Sequence, residues 1–348
     1  MTIRWGILGC GKVTEVKSGP GFQLAEGSRL VAVMRRTSAL AEDYARRHNV
    51  PRWYDRADAL IHDPEVDAVY IATPPGSHLE YALQVCAAGK PAYVEKPMAR
   101  NYAECRRMVA AFTEAKLPLF VAYYRRGLPR FNQAKALVES GRLGQITGVC
   151  YRYAGPSTRP ANPQELPWRL VAEQSGGGLF LDLGCHTLDI LDYILGPLED
   201  VEGTAANVAS PYDVEDAVAM RFRLPSGGLG IASWNFASGV HEDTIEIFGS
   251  EGRLSLSTFG NEPLQLETAH GRETFDRPNP PHIQQPLIQT IVDELQRKGR
   301  CPSTGLSAAR TSRVMDIVLE GYYGGRSDAF WDRPHTWPGR KVSPSSIQ

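Results

Sequence analysis

With 348 residues, 42% of them hydrophobic and 22% charged, the chain has the composition of a soluble globular protein and is too long for one ordinary core, so two domains are expected. Its formal net charge of -1, with basic residues scattered along the sequence, excludes the electrostatic footprint of a nucleic-acid or membrane-surface binder and points to a small-molecule partner. Six cysteines without paired spacing argue against a disulfide framework or a metal site, and a first strand with no apolar leader before it points to the cytoplasm.

Residues 3–8 are an apolar run ending at Gly9-Cys10-Gly11-Lys12-Val13-Thr14, a G-x-G-x-x-T form of the dinucleotide fingerprint. In that fingerprint the first glycine makes the tight turn, the second lets backbone approach a pyrophosphate, and the helix start that follows stabilises its charge. Thr14 replaces the small third residue that lets helix and strand pack closely, and Ser18-Gly19-Pro20-Gly21 predicts an early break in that helix. A second strand over 30–34 ends at Arg35-Arg36-Thr37-Ser38. An NAD-binding chain places a carboxylate there for the ribose 2′-hydroxyl, whereas guanidinium and hydroxyl donors match the 2′-phosphate of NADP. The basic turn therefore predicts a preference for NADP over NAD; the competing reading is a solvated turn beside bound NAD.

The alternation continues with a helix over 39–48, a strand over 68–71, a helix over 78–88, a strand over 91–94, a helix over 102–115 and a strand over 119–122. It predicts an α/β fold with a doubly wound parallel sheet, a Rossmann domain over 1–122. Ligands of such sheets bind at the carboxyl edge of the strands. Two loops fall there. Thr73-Pro74-Pro75 with His78 reads either as a cover for the dinucleotide or as a rigid turn before the next helix. At Glu95-Lys96-Pro97 an apolar strand ends abruptly in an ion-capable pair, and taken alone Lys96 reads more simply as a solvated strand-end lysine.

Tyr124-Arg125-Arg126 marks the passage into a second domain, expected over 123–325. A helix over 130–140 and a strand over 146–153 lead into a proline-rich loop ending at Pro167-Trp168-Arg169, and Gly176-Gly177-Gly178 opens a helix expected to run to about residue 195. Strand-like segments near 201–208, 215–224, 228–236, 242–249 and 252–258, without helices between them, predict an antiparallel sheet and hence an α+β domain. Val218, Met220 and Phe222 alternate with polar or small residues, which predicts one buried face and leaves the other to pair in a homodimer or homotetramer. Helices near 283–298 and 306–323 close the domain, and 326–348 reads as a tail with no assignable role.

On the helix after the glycine run, Asp182 and His186 are four apart and share a face. A carboxylate one turn from an imidazole orients the ring and raises its basicity, which suits a general acid/base near neutral pH; a solvated polar stripe is the simpler alternative.

The fingerprint, Thr73-Pro74-Pro75 with His78, Glu95-Lys96-Pro97, Tyr124-Arg125-Arg126, Trp168-Arg169 and the triple glycine with Asp182 and His186, in this order, resemble the glucose-fructose oxidoreductase / inositol dehydrogenase / MocA family over roughly residues 1 to 323. The resemblance implies an amino-terminal Rossmann domain and a carboxy-terminal α+β domain whose large, mostly antiparallel sheet often mediates oligomers. It also implies that Lys96, Asp182 and His186 match the family's catalytic lysine, aspartate and histidine, that Lys96-Pro97 is a cis peptide, and that the substrate is a carbohydrate-like alcohol or carbonyl. Hydride transfer at nicotinamide then needs a carrier for the hydroxyl proton, His186, a cation beside the oxygen, Lys96, and Asp182 to orient the imidazole. Gly9, Cys10, Gly11, Lys12, Val13, Thr14, Arg35, Arg36, Thr37, Thr73, Pro74, Pro75, His78, Glu95, Lys96 and Pro97 are the expected cofactor contacts. Tyr124, Arg125, Trp168 and Arg169 join His186 as expected substrate contacts, with packing the alternative for those four; no metal is called for. Two other functions stand beside this one: a trans-diol or tetrapyrrole substrate on the same fold, and a dinucleotide-binding sensor without turnover, which has no need of Lys96, Asp182 and His186 together.

Overall fold

The computed structural model describes residues 1–156 and 165–341. The chain forms two compact units, each assembled from separate segments: Met1–Ala99, Glu104–Leu128 and Asn279–Ala309 in the first, and Arg100–Ala103, Pro129–Pro278 and the chain from Arg310 onward in the second.

In the first unit, strands β1 (Ile3–Leu8), β2 (Ser28–Met34), β3 (Arg52–Tyr54), β4 (Ala68–Ile71), β5 (Ala92–Val94) and β6 (Leu119–Val121) form a parallel sheet in the order β3-β2-β1-β4-β5-β6. Helices α1 (Lys12–Val16), α2 (Gly19–Leu24), α3 (Ser38–Arg47), α4 (Ala57–Ile61), α5 (His78–Ala87) and α6 (Tyr102–Glu114) connect them. Every side chain of β4 and β5 is buried, as continuous apolar runs require of strands covered on both faces. Strand order reverses between β1 and β4, which puts the switch-point crevice at their carboxyl ends. The early break predicted after Thr14 is present: α1 stops at Val16 and α2 starts at Gly19, carrying Phe22 onto Trp5 (ring centroids 4.9 Å apart) and Tyr70 (5.2 Å).

The expected partition at residue 122 differs from these units. The helix Gln285–Leu295 (α10), placed by sequence in the second domain, packs on α2 and the 124–127 turn of the first. Its apolar stripe, Leu287, Ile288, Ile291 and Val292, is fully buried, and Gly21 and Gly127 leave room for it: a Cβ at either would come within 2.9 Å of Ile288 or 2.7 Å of Leu287.

The second unit holds α7 (Pro129–Glu139), β7 (Ile146–Ala154), α8 (Ala172–Ser175), α9 (Cys185–Leu195), β8 (Glu199–Ala206), β9 (Ala217–Arg223), β10 (Leu229–Asn235), β11 (Glu242–Gly249), β12 (Gly252–Leu256), β13 (Leu264–Thr268), β14 (Gly271–Phe275) and most of α11 (Gly305–Tyr323). The sheet runs β14-β13-β12-β11-β7-β10-β9-β8 and is antiparallel except where β7 meets β10. Val218, Met220 and Phe222 are buried on its covered face, and Trp234 packs there between Tyr151 (5.3 Å) and Phe180 (4.8 Å). The supposed tail is folded through residue 341: Trp337 and Phe330 bury against Tyr323, and Trp337 Nε1 donates to the Phe330 carbonyl at 2.9 Å. Residues 342–348 of the expected tail and 157–164 of the proline-rich loop lie outside the described residues. Among the described residues no helix is long and apolar enough to cross a membrane.

Candidate active site

Gly9 leaves β1 with φ +87°, and a Cβ there would stand 2.8 Å from Thr73 Cγ2 and 3.2 Å from the Ala72 carbonyl, so only glycine fits. Gly11 is different. The nearest atom to its Cβ would be Gly9 O at 3.7 Å, so no neighbour in the chain demands glycine and the backbone there is open to close approach. Thr14 is buried, donates Oγ1 to Gly11 O at 2.8 Å, and accepts Tyr44 Oη on its own carbonyl at 2.9 Å. Its β-branch does no harm because α1 has already ended two residues on. The close packing has moved to Gly19, where a Cβ would lie 2.2 Å from Thr14 O. Burial pushes the Cys10 thiol up to about 11, so Cys10 is a packed thiol and no nucleophile. Lys12 is exposed and Val13 half-buried in α1, and Arg35, Arg36 and Thr37 are exposed just past β2. Among the described residues neither arginine has an ion-pair partner.

Past β4, the Thr73-Pro74-Pro75 loop turns through a short 3-10 stretch into α5. His78 is fully buried, with Nε2 2.7 Å from Thr73 O and Nδ1 3.1 Å from Pro97 O and 3.2 Å from Met98 O. Burial lowers its pKa, so the ring is neutral and its one proton is best placed on the shorter contact, to Thr73. His78 thus ties the loop after β4 to the loop after β5. Glu95 likewise turns inward: its carboxylate accepts from Tyr70 Oη, from Gln284 Nε2 at 2.7 Å and from the Lys96 N–H at 3.0 Å. Lys96 follows, half-buried, and the Lys96-Pro97 bond is cis, as the resemblance implies. Tyr124 and Arg125 are both buried in this unit, the guanidinium 4.9 Å from the ring, which favours the packing alternative for them.

In the second unit α8 ends at Gly176, whose φ of +86° and 2.3 Å Cβ clearance to Arg100 O admit no side chain. The expected α-helix does not begin at the glycines. Phe180–Gly184 is a π turn that runs into α9, a feature common at functional sites and without a signature in composition. His186 is only 4% exposed, its ring edge-on to Phe259 at 5.9 Å. The Asp182 carboxylate accepts from Arg169 Nε at 2.8 Å, and the same guanidinium lies 4.3 Å over Trp168, so Arg169, an expected substrate contact, holds the aspartate. Asp243, which has no local sequence signature, accepts the Thr258 N–H (3.1 Å), the Phe259 N–H (2.6 Å) and Tyr151 Oη (3.1 Å), and so fixes the turn that meets His186. Among the described residues no group of three or more His, Cys, Asp or Glu is placed to hold a metal.

Residues 3–123 match the oxidoreductase family with an NAD-binding Rossmann fold, and residues 131–255 match the GFO/IDH/MocA C-terminal domain. Oxidoreductase P35 of Formosa agariphila is 37% identical over 320 residues, covering 90% of this chain and 98% of its own. Trans-1,2-dihydrobenzene-1,2-diol dehydrogenase of Danio rerio is 27% identical over 327 residues, 92% of this chain and 94% of its own. A structure of levoglucosan dehydrogenase with NADH and levoglucosan shares the fold with a TM-score of 0.82 at 22% identity, over 92% of this chain and 96% of that one. With both units matched, the chain belongs to the Gfo/Idh/MocA family of oxidoreductases, its first part an NAD-binding Rossmann fold.

Proposed function

We propose that the protein moves hydride between a nicotinamide dinucleotide and a sugar- or polyol-like alcohol or carbonyl, with His186 carrying the hydroxyl proton and Lys96 stabilising charge on that oxygen. The observation that carries this reading is the carboxyl edge of the first sheet, where Gly9 and Gly11, the exposed Arg35 and Arg36, the Thr73 loop and Lys96 follow four different strands. When bound, the nicotinamide takes or gives the hydride; what the chain supplies is orientation, a cation and a proton carrier. In the oxidative direction the hydroxyl proton passes to His186 as the carbonyl forms, with Asp182, fixed by Arg169, in the orienting role. Arg35 and Arg36 support NADP as the preferred cofactor.

The substrate class rests on the family and on the levoglucosan dehydrogenase that shares its fold. A trans-diol is the second reading, favoured by the Danio rerio relative. Six cysteines that are all thiols agree with a cytoplasmic setting. On the outer face of β10, Leu229 and Ile231 are 63% and 59% exposed, which supports a homodimer or homotetramer joined through the second sheet, to be read by light scattering on wild type and Ile231→Asp. The deciding experiment screens the purified protein with NADP(H) and NAD(H) against sugars, inositols, keto-sugars and cyclic trans-diols, following the absorbance of the reduced nicotinamide. Turnover of a sugar or polyol is expected; binding of dinucleotide with no turnover of any member would overturn the reading in favour of a sensor.

A further inference from the structure

Arg326 lies just past α11, in the stretch that reads from sequence as a tail. Its side chain is 1% exposed. It donates Nε to Asp316 Oδ1 at 2.8 Å, Nη1 to the Gly176 carbonyl at 2.7 Å and Nη2 to the Arg100 carbonyl at 2.8 Å, between the rings of Tyr323 and Phe330. Asp316 in turn takes the Tyr102 N–H on its other oxygen at 2.8 Å. A buried cation is costly unless its donors are used, and a planar fork reaching three acceptors in three directions is something a lysine cannot reproduce.

The identity of the acceptors gives the arrangement its meaning. Arg100 follows Lys96 by four residues, and Gly176 precedes Asp182 by six. The two backbones touch: a Cβ on Gly176 would lie 2.7 Å from Arg100 Cα. The far side of the glycine turn is fixed as firmly, because the buried Glu215 accepts the Gly178 N–H on both oxygens (3.0 and 2.9 Å) and also the Tyr323 hydroxyl. None of these groups has a chemical part in hydride or proton transfer. We propose that Arg326 is a positioning residue: within the second unit one guanidinium locks residues 100–102 to the glycine turn that enters Asp182 and His186, with Glu215 and Tyr323 holding the other end of that turn. The claim rests on the catalytic reading of Asp182 and His186.

The test compares Arg326→Lys and Tyr323→Phe with wild type on the best substrate of the panel. Arg326→Lys is expected to lower kcat about tenfold or more while the dinucleotide Kd stays within about threefold, since small misplacements of reacting groups cost rate before binding. Tyr323→Phe shifts kcat the same way by less, and millimolar guanidinium restores part of the kcat that Arg326→Ala loses. Hydrogen exchange should quicken in Arg326→Lys at the amides of 101–102 and 176–178, and this arm needs no turnover, so it tests the Arg326 lock separately from the catalytic reading. Either wild-type kcat or wild-type exchange in folded Arg326→Lys overturns the proposal, and so does a dinucleotide Kd that weakens in parallel with kcat. If Arg326→Lys does not fold, Asp316→Asn replaces it, with a several-fold fall in kcat expected and an unchanged kcat overturning the proposal.

Discussion

Arg169 donates Nε to Oδ2 of Asp182 at 2.8 Å while its guanidinium covers the Trp168 ring. The arginine is about half exposed, so solvent screens the pair and it contributes little to folding, about 1 kcal/mol at most. Its effect is on where the carboxylate points. Arg169→Met should therefore keep its Tm within a few degrees of wild type while kcat falls about tenfold. Thermal melts beside steady-state rates check this, and a variant that loses stability and rate together would speak for a packing role instead.

Lys96→Met and His186→Gln should each lower kcat by about 10²–10⁴, the usual contribution of a placed acid/base or charge-stabilising group. Dinucleotide affinity, measured by fluorescence titration, should stay within several-fold. Near wild-type turnover by either variant removes it from the mechanism.

Arg35 and Arg36 stand exposed past β2 with no carboxylate before Glu42. Wild type should bind NADPH tighter than NADH by about tenfold, with the gap narrowing as salt rises, and Arg35→Asp should reverse the order. Equal affinities for the two reduced cofactors in wild type would mean that the basic turn does not read the 2′-phosphate.

His78 is held neutral by burial, below its ordinary value of 6.5. Below that pH the unfolded chain binds a proton that the folded chain does not, so stability is full above about pH 6.5. It falls as the pH drops toward the lower folded pKa, by at most about 1.4 kcal/mol per pH unit. Urea midpoints at about pH 7.5 and about pH 5.5 should differ in wild type and differ less in His78→Gln. An identical pH dependence in the variant assigns the effect to other groups.

What the sequence made legible follows from how each element is stabilised. The buried runs over 68–71 and 91–94 announce parallel strands by being apolar throughout, and β9 announces its two faces by alternation. β3, with its half-exposed Arg-Trp-Tyr, and β14, with Gly-Arg-Glu-Thr-Phe at a sheet edge, carry neither pattern and were not anticipated, nor were β13 and the five-residue α4. The amphipathic stripe of α10 shows that the helix is buried without saying in which unit. Gly9, Lys96, Asp182 and His186 stand out in the sequence because the proposed chemistry would call for those residue types at those places. The inward turn of Glu95 and His78, and the long-range hold of Asp243 and Arg326, depend on side-chain direction and on partners far along the chain, which no local pattern encodes.

The return of residues 279–309 to the first unit decides how the chain can be taken apart. Gln284 donates to Glu95 and accepts from Tyr93 Oη at 2.9 Å, so a fragment ending at residue 128 would lose a donor to the carboxylate beside Lys96 and an acceptor for a buried phenol. Each orphaned group costs about 1–3 kcal/mol, before counting the apolar stripe that α10 buries against α2 and the 124–127 turn. The dinucleotide-binding half is therefore not a cassette that one cut releases: a chimera that borrows it from this protein has to carry two inserts, 1–128 and 279–309, or graft its new substrate half between them.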